Sequence, residues 1–302
     1  MSEVESPLQL LHDPLLREKE VQVWVKRDDL LHPSISGNKW RKLKYNLREA
    51  RRQGHGTLLT FGGAYSNHLA AVAAAGEEFG FQTIGLVRGE EHQPLNPTLA
   101  FARSCGMQLH YLDRDTYRRK QEPAFLASIQ EQYGPAYMLP EGGTNLLAVQ
   151  GCTEIVAEIT IPFDYVCCAC GTGGTLAGII AGLAGRRQVI GFPALKGGEF
   201  LATEIDALVR AFSGKSYSNW RLETSFHFGG YARLTPELVS FIQNSKQQHQ
   251  IQLEPVYTGK MIFGLFELIR QDAFPRGSTV VALHTGGLQG LEGMRERLGV
   301  AL

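Results

Sequence analysis

Ser36-Gly37-Asn38-Lys39-Trp40-Arg41-Lys42 follows the strand-like run Val21-Gln22-Val23-Trp24-Val25 and opens a helical stretch predicted over 38–53. The same step from strand to helix recurs along the chain. Thr57-Leu58-Leu59-Thr60-Phe61 precedes a helix beginning at Asn67, and further β-rich runs stand at 83–87, 107–111, 165–168, 189–192 and 279–283, nearly always with a helical segment between them. Alternation of this kind predicts an α/β fold of open, twisted, largely parallel sheets flanked by helices. Such sheets take ligands beyond the carboxyl ends of their strands, so the turns that follow the strands are where chemistry belongs.

Composition limits the classes of function. The 302 residues are 43% apolar, enough for one large core or two modest ones. Thirty basic residues balance thirty acidic ones, which leaves no broad electropositive face for nucleic acid or an anionic membrane surface. No apolar run approaches the roughly 18 residues that span a bilayer, and the start Met1-Ser2-Glu3-Val4-Glu5 is acidic where a secretory signal is basic, so the expected location is the cytoplasm. Five cysteines, three of them in Cys167-Cys168-Ala169-Cys170, read as small apolar residues of a buried strand in reducing surroundings. No cysteine and histidine spacing forms a zinc site, and no metal is expected.

Four turns carry the chemistry. In the first, Ser36 is the predicted N-cap and Lys39 lies in the opening turn of the helix, where the macrodipole disfavours an ammonium and so favours a nucleophilic amine. Lys42 follows on the same face, within reach of a phosphate. Because Arg41, Lys44, Arg48, Arg51 and Arg52 follow, the competing reading is a solvated basic helix. The second turn, Phe61-Gly62-Gly63-Ala64-Tyr65-Ser66-Asn67-His68, offers N–H groups and a hydroxyl to a carboxylate; alternatively, Ser66 is a plain N-cap and His68 a satisfied core residue. The third, Cys170-Gly171-Thr172-Gly173-Gly174-Thr175-Leu176, reads as a phosphate cup. It lacks the third glycine of a dinucleotide fingerprint because Leu176 stands there, so a monophosphate fits better. The fourth comprises Glu254-Pro255-Val256-Tyr257-Thr258-Gly259-Lys260 and His284-Thr285-Gly286-Gly287, which alone could be loop punctuation. One reactive amine among phosphate-cradling turns points to pyridoxal phosphate chemistry.

Taken in order, Ser-Gly-Asn-Lys with a lysine three residues later, Gly-Gly-x-x-Ser-Asn-His, Glu-Pro-Val-Tyr-Thr-Gly-Lys and His-Thr-Gly-Gly resemble the family of 1-aminocyclopropane-1-carboxylate deaminases and D-cysteine desulfhydrases. That family lies within the tryptophan synthase β-like, fold-type II group of pyridoxal 5'-phosphate enzymes, and the resemblance spans nearly the whole chain. It implies two α/β lobes, a large one from 1–42 and 149–302 and a small one inserted over 43–148, with the cofactor in the cleft between them. It implies that Lys39 is the Schiff-base lysine and α-proton base, and that Lys42 with Gly171, Thr172, Gly173, Gly174 and Thr175 binds the cofactor phosphate. Asn67 would meet the phenolic oxygen, while Ser66, Asn67 and His68 would face the substrate carboxylate, with Thr285 also binding substrate. Tyr231 and Tyr257 match the two active-site tyrosines, and Thr258 would face the pyridine nitrogen.

Thr258 bears on the reaction. A carboxylate there keeps the pyridine nitrogen protonated and the ring a strong electron sink, as opening a cyclopropane requires; a neutral hydroxyl suits easier expulsion of a thiolate. In the resembling family, deaminases tend to carry Glu at this place and Leu before the last Gly-Gly, and desulfhydrases Thr or Ser and then Thr; this chain has Thr258 and Thr285. The expected activity is α,β-elimination on a small D-amino acid, D-cysteine giving pyruvate, ammonia and sulfide. Deamination of 1-aminocyclopropane-1-carboxylate to 2-oxobutanoate is the alternative, and a cofactor or phosphometabolite binder without turnover is the reading from another class. The family also implies a homodimer. The stretch 185–221 and the phosphate turn depart from the family pattern.

Overall fold

The computed structural model describes residues 4–299. Its strands fall into two sheets. The larger has the order β1-β2-β10-β7-β8-β9, with β1 Leu8–Leu10, β2 Gln22–Lys26, β7 Tyr165–Cys170, β8 Gln188–Pro193, β9 Trp220–Leu222 and β10 Thr279–Leu283. The smaller has the order β5-β4-β3-β6, with β3 Thr57–Gly63, β4 Gln82–Arg88, β5 Gln108–Leu112 and β6 Tyr137–Leu139. Every pairing is parallel except that of β1 with β2. Covering helices are α1 Pro14–Glu18, α2 Asn38–Arg52, α3 Asn67–Phe79, α4 Pro97–Ser104, α5 Arg114–Arg118, α6 Pro123–Tyr133, α7 Leu146–Ala157, α8 Gly174–Leu183, α9 Leu201–Ser213, α10 Pro236–His249, α11 Thr258–Arg270 and α12 Gly290–Leu298. The fold is therefore the α/β arrangement that the alternation predicts. No helix among the described residues is long and apolar enough to cross a membrane.

Central parallel strands are covered on both faces, which is why β7, β10 and β4 read as unbroken apolar or small-residue runs. Cys167, Cys168 and Cys170 sit in that buried wall as free thiols, and burial pushes Cys167 and Cys170 up to about 12. Their packing role matches the sequence reading.

Helices α2, α7 and α8 pack so closely that side chains are excluded at two crossings. A Cβ on Gly151 would lie 2.0 Å from the Arg41 carbonyl oxygen, and one on Gly178 would lie 2.3 Å from the Cys152 Cβ. These contacts bring the opening turn of α2 against the opening turn of α8.

A charged cluster fixes the same corner. Arg41 bonds Asp28 at 2.5 and 2.7 Å and Glu158 at 2.6 and 2.8 Å, while Lys26 reaches Glu158 at 2.7 Å and the Ser6 hydroxyl at 2.6 Å. Two cations balance two carboxylates, and Ser6 donates to Asp28 at 2.6 Å, so the buried charges are paired and hydrogen-bonded as burial demands. Arg41, Lys42 and Lys44 are all buried, which overturns the reading of α2 as a solvated basic helix. Only Arg48, Arg51 and Arg52 in its second half face solvent.

Candidate active site

Three turns and half of the fourth lie at the carboxyl ends of strands, from both sheets: β2 leads to α2, β3 to α3, β7 to α8, and β10 to the segment 284–287, while 254–260 joins α10 to α11. The start of α2 differs from expectation in its cap. Gly37, not Ser36, is the N-cap residue, with φ 65°, and the Ser36 hydroxyl instead leans toward the Asp29 carbonyl at 3.4 Å. A Cβ at position 37 would collide with the Thr285 carbonyl oxygen at 1.9 Å, and that carbonyl accepts the Asn38 N–H at 3.1 Å. Thr285 thus locks the β10 turn onto the helix that carries Lys39.

Lys39 is partly enclosed and makes no hydrogen bond or ion pair among the described residues. Its pKa is held well below the ordinary lysine value, by burial first and then by the like charge of Lys42. Burial thus acts in the same direction as the helix dipole, and the amine is neutral far more readily than a surface lysine. The Lys42 amine is fixed by the Gly142 carbonyl and the Thr144 hydroxyl, both at 3.0 Å. A Cβ on Gly174 would lie 3.2 Å from that amine, so Lys42 hangs directly over the Gly171-Thr172-Gly173-Gly174-Thr175 turn. Thr172 is tied to Thr144 at 2.6 Å and Thr175 to Asn38 at 2.8 Å. Gly173 takes φ 76°, and α8 starts without a side-chain cap. Among the described residues no turn or cap bond uses the N–H groups of 171–175, so these groups with the Lys42 amine could hold a phosphate.

On the facing sheet, Ser66 is the N-cap of α3, accepting the N–H groups of His68 and Leu69 at 3.2 Å. His68 is 2% exposed, and neither ring nitrogen has a hydrogen-bond partner; the Pro140 carbonyl lies near it but out of bonding geometry. It is not the satisfied core histidine of the competing reading. Burial, then the charges of Lys39 and Lys42, hold its pKa well below the usual value, leaving a neutral ring beside the two amines. Asn67 accepts a bond from Gln289 at 2.6 Å and approaches Gly287, where a Cβ would lie 2.6 Å from its amide nitrogen.

The fourth group closes the remaining side. Tyr257 packs on Gly171, where a Cβ would meet its ring at 3.1 Å, and Tyr231 stands across it with ring centroids 6.0 Å apart. Tyr231 is 47% exposed and sits at the mouth. Burial, with Tyr231 adding to it, pushes the Tyr257 phenol well above its ordinary range, so it keeps its proton at neutral pH. Thr258, fully buried, opens α11 and shares hydrogen bonds with Glu254.

Several participants have no strong local signal in the sequence. Glu254 caps α11, taking the N–H groups of Val256, Tyr257 and Thr258 at 2.6–2.8 Å; the sequence shows it within its motif but assigns it no role of its own. Gly142, Thr144 and Gln289 reach the site through contacts distant in sequence.

A neutral, unpartnered amine, an orphaned imidazole and a cradle of free N–H groups with a lysine over it fit an aldehyde that carries one phosphate. The family model for the pyridoxal-phosphate dependent enzymes matches residues 2–286. The chain belongs to that family. This pyridoxal phosphate enzyme is 30% identical to the bifunctional D-cysteine desulfhydrase/1-aminocyclopropane-1-carboxylate deaminase of Arabidopsis thaliana, over 89% of this chain and 73% of the relative. It is 28% identical to a D-cysteine desulfhydrase of Klebsiella pneumoniae, over 93% and 90% of the two chains. Among solved structures, an ACC deaminase homologue superposes with a TM-score of 0.86 at 30% identity, covering 98% of this chain and 93% of that one.

Proposed function

We propose that this enzyme eliminates the β-substituent of a small D-amino acid, D-cysteine above all, giving pyruvate, ammonia and sulfide with the uptake of one water. The observation that carries the choice of reaction is Thr258: a buried, uncharged hydroxyl at the start of α11, beside a carboxylate, Glu254, that is already engaged by three backbone N–H groups. Bound pyridoxal phosphate supplies the electron sink that acidifies the substrate α-carbon.

The residues of the chain divide the remaining work. Lys42 and the N–H groups of 171–175 hold the phosphate. Lys39 would hold the cofactor's aldehyde carbon through its amine until the substrate amine displaces it, and the released amine, readily neutral, would then accept the substrate α-proton. Asn67 would bond the phenolic oxygen, and Ser66, Asn67 and neutral His68 would orient the substrate carboxylate by donated hydrogen bonds. Tyr231 and Tyr257, protonated at neutral pH, give a proton to the departing sulfur. Thr258 leaves the ring nitrogen without the charge that a carboxylate would enforce, which suits a thiolate leaving group and not a carbanion. Thr285, against Gly37 and Asn38, keeps the substrate side of α2 in register.

Deamination of 1-aminocyclopropane-1-carboxylate is the second reading, favoured by the deaminase activity in the name of the Arabidopsis relative and by the solved ACC deaminase homologue. The proposal also includes lobes divided near 43 and 148, supported by the small sheet lying wholly within 57–139, a cytoplasmic location, supported by five free thiols, and a homodimer, carried over from the family resemblance.

The test is to incubate loaded enzyme and the Lys39→Ala variant with D-cysteine and measure pyruvate and sulfide together. Equal amounts from the enzyme and none from the variant support the proposal. Keto acid from the cyclopropane substrate without sulfide from D-cysteine favours the second reading, and no keto acid from any amino acid overturns both.

A further inference from the structure

Between β9 and α10 the chain runs through residues 223–235 without regular structure, and this segment delivers Tyr231 to the mouth of the site. Its backbone is unusual. Phe228 and Ala232 take φ 53°, while Gly229 and Gly230 take 89° and 123°, a left-handed series that L residues adopt only when the surroundings hold them there. Local bonds exist, from Gly229 N–H to the His227 ring at 2.9 Å and from Gly230 N–H to the His227 carbonyl at 3.0 Å, but they close the loop on itself and do not anchor it.

The anchor comes from α11. Lys260 is 2% exposed, and its amine donates to the carbonyls of His227 at 2.9 Å and Gly230 at 2.7 Å. Burial lowers its pKa to about 8, against the opposing charge of Glu254, so an amine in this position carries a cost that an apolar side chain would avoid. The carbonyls it holds belong to the residue immediately before Tyr231 and to one three residues earlier. Lys260 itself lies three residues after Tyr257 on the same helix. A single element therefore places both phenols: Tyr257 directly at its start, and Tyr231 through the Lys260 amine.

We propose that Lys260 is a positioning residue that pins the 227–231 segment to α11 and thereby sets the Tyr231 phenol against Tyr257. Phe228, packed edge-on against Phe263 at 4.9 Å, provides an apolar hold, and Lys260 ties the turn from which Tyr231 emerges to α11 by hydrogen bonds. The kinetic part of this proposal rests on the reading that Tyr231 serves the reaction.

The test pairs hydrogen exchange with a double-mutant cycle in the loaded enzyme. In Lys260→Met, amides of 227–233 should exchange about tenfold faster while α11 and the sheets keep their protection. Turnover of D-cysteine should fall roughly tenfold to a hundredfold, the scale of a displaced catalytic group, and Lys260→Arg should restore both. The double variant Lys260→Met with Tyr231→Phe should be no slower than Tyr231→Phe alone. Unchanged exchange in Lys260→Met overturns the proposal, and so do losses that multiply in the double variant. Faster exchange together with a fully active Tyr231→Phe would leave the pin standing and reject the role of Tyr231. If Lys260→Met does not fold, Lys260→Gln enters the same measurements.

Discussion

Replacing Arg41 by Met removes the centre of the buried charged cluster while keeping its bulk. Arg41 is 2% exposed and supplies two hydrogen bonds to Asp28 and two to Glu158. In its absence Glu158 keeps Lys26 at 2.7 Å, but Asp28, with no exposed surface, keeps only the Ser6 hydroxyl at 2.6 Å among its side-chain partners. Breaking a buried pair by removing one member costs about 3–5 kcal/mol because the other charge is stranded. Against a total stability of about 5–15 kcal/mol that is a large share, and it corresponds to a drop in Tm of roughly 5–8 °C for a chain of this size. The assay is urea unfolding at neutral pH, followed by circular dichroism, with Asp28→Asn added to the variant as the control that relieves the stranded charge. The acid limb should move as well. Burial alone would raise the Glu158 pKa, but Arg41 and Lys26 outweigh it and hold the group below its ordinary value. Its contribution is present above the unfolded carboxylate pKa and is lost as pH falls through the lower folded one. In Arg41→Met that loss should begin at higher pH. A cost below about 1 kcal/mol, the range of an exposed pair, or no recovery on adding Asp28→Asn, would refute the reasoning.

Acylation of the cofactor-free protein by an amine-selective reagent should modify Lys39 with a midpoint well below the usual lysine value, and Lys42→Met should raise that midpoint by removing a like charge while burial still holds it low. Gly151→Ala drives a methyl into the Arg41 carbonyl and should cost about 1–3 kcal/mol, together with weaker cofactor binding in a titration of the visible band, because α2 must move off α7. Thr258→Glu should not simply convert the enzyme into a deaminase: it sets a second buried carboxylate beside Glu254, which is now 3.2 Å from the Thr258 hydroxyl, so one of the two must protonate. We expect poor stability at neutral pH that improves in Thr258→Glu with Glu254→Gln, measured as Tm.

Much of the fold was legible because central parallel strands, covered on both faces, leave continuous apolar runs that alternate with helices. The three-residue strands β1, β6 and β9 were missed, being too short for any pattern to accumulate. The first three turns were legible as strand-to-helix steps, since glycines and hydroxyls there are local features, whereas the fourth group was legible through its motifs. What could not be read was what depends on distant partners. Ser36 had the chemistry of a cap, yet Gly37 takes the place because only a residue without Cβ clears the Thr285 carbonyl. Arg41 looked like part of a solvated basic face, and the carboxylate that buries it with Asp28, Glu158, lies 117 residues away in sequence. The low pKa of Lys39 was anticipated in direction from the helix dipole, but the contributions of enclosure and of Lys42 depend on tertiary packing.

The central claim concerns reaction type, so the decisive measurement compares kcat/KM for D-cysteine and 1-aminocyclopropane-1-carboxylate in one preparation of loaded enzyme, following sulfide with pyruvate in one arm and 2-oxobutanoate in the other. A neutral Thr258 predicts that D-cysteine is favoured by at least about tenfold, equivalent to ~1.4 kcal/mol in barrier height. Preference for the cyclopropane substrate would contradict the account, because ring opening would then proceed without a charged partner at the pyridine nitrogen.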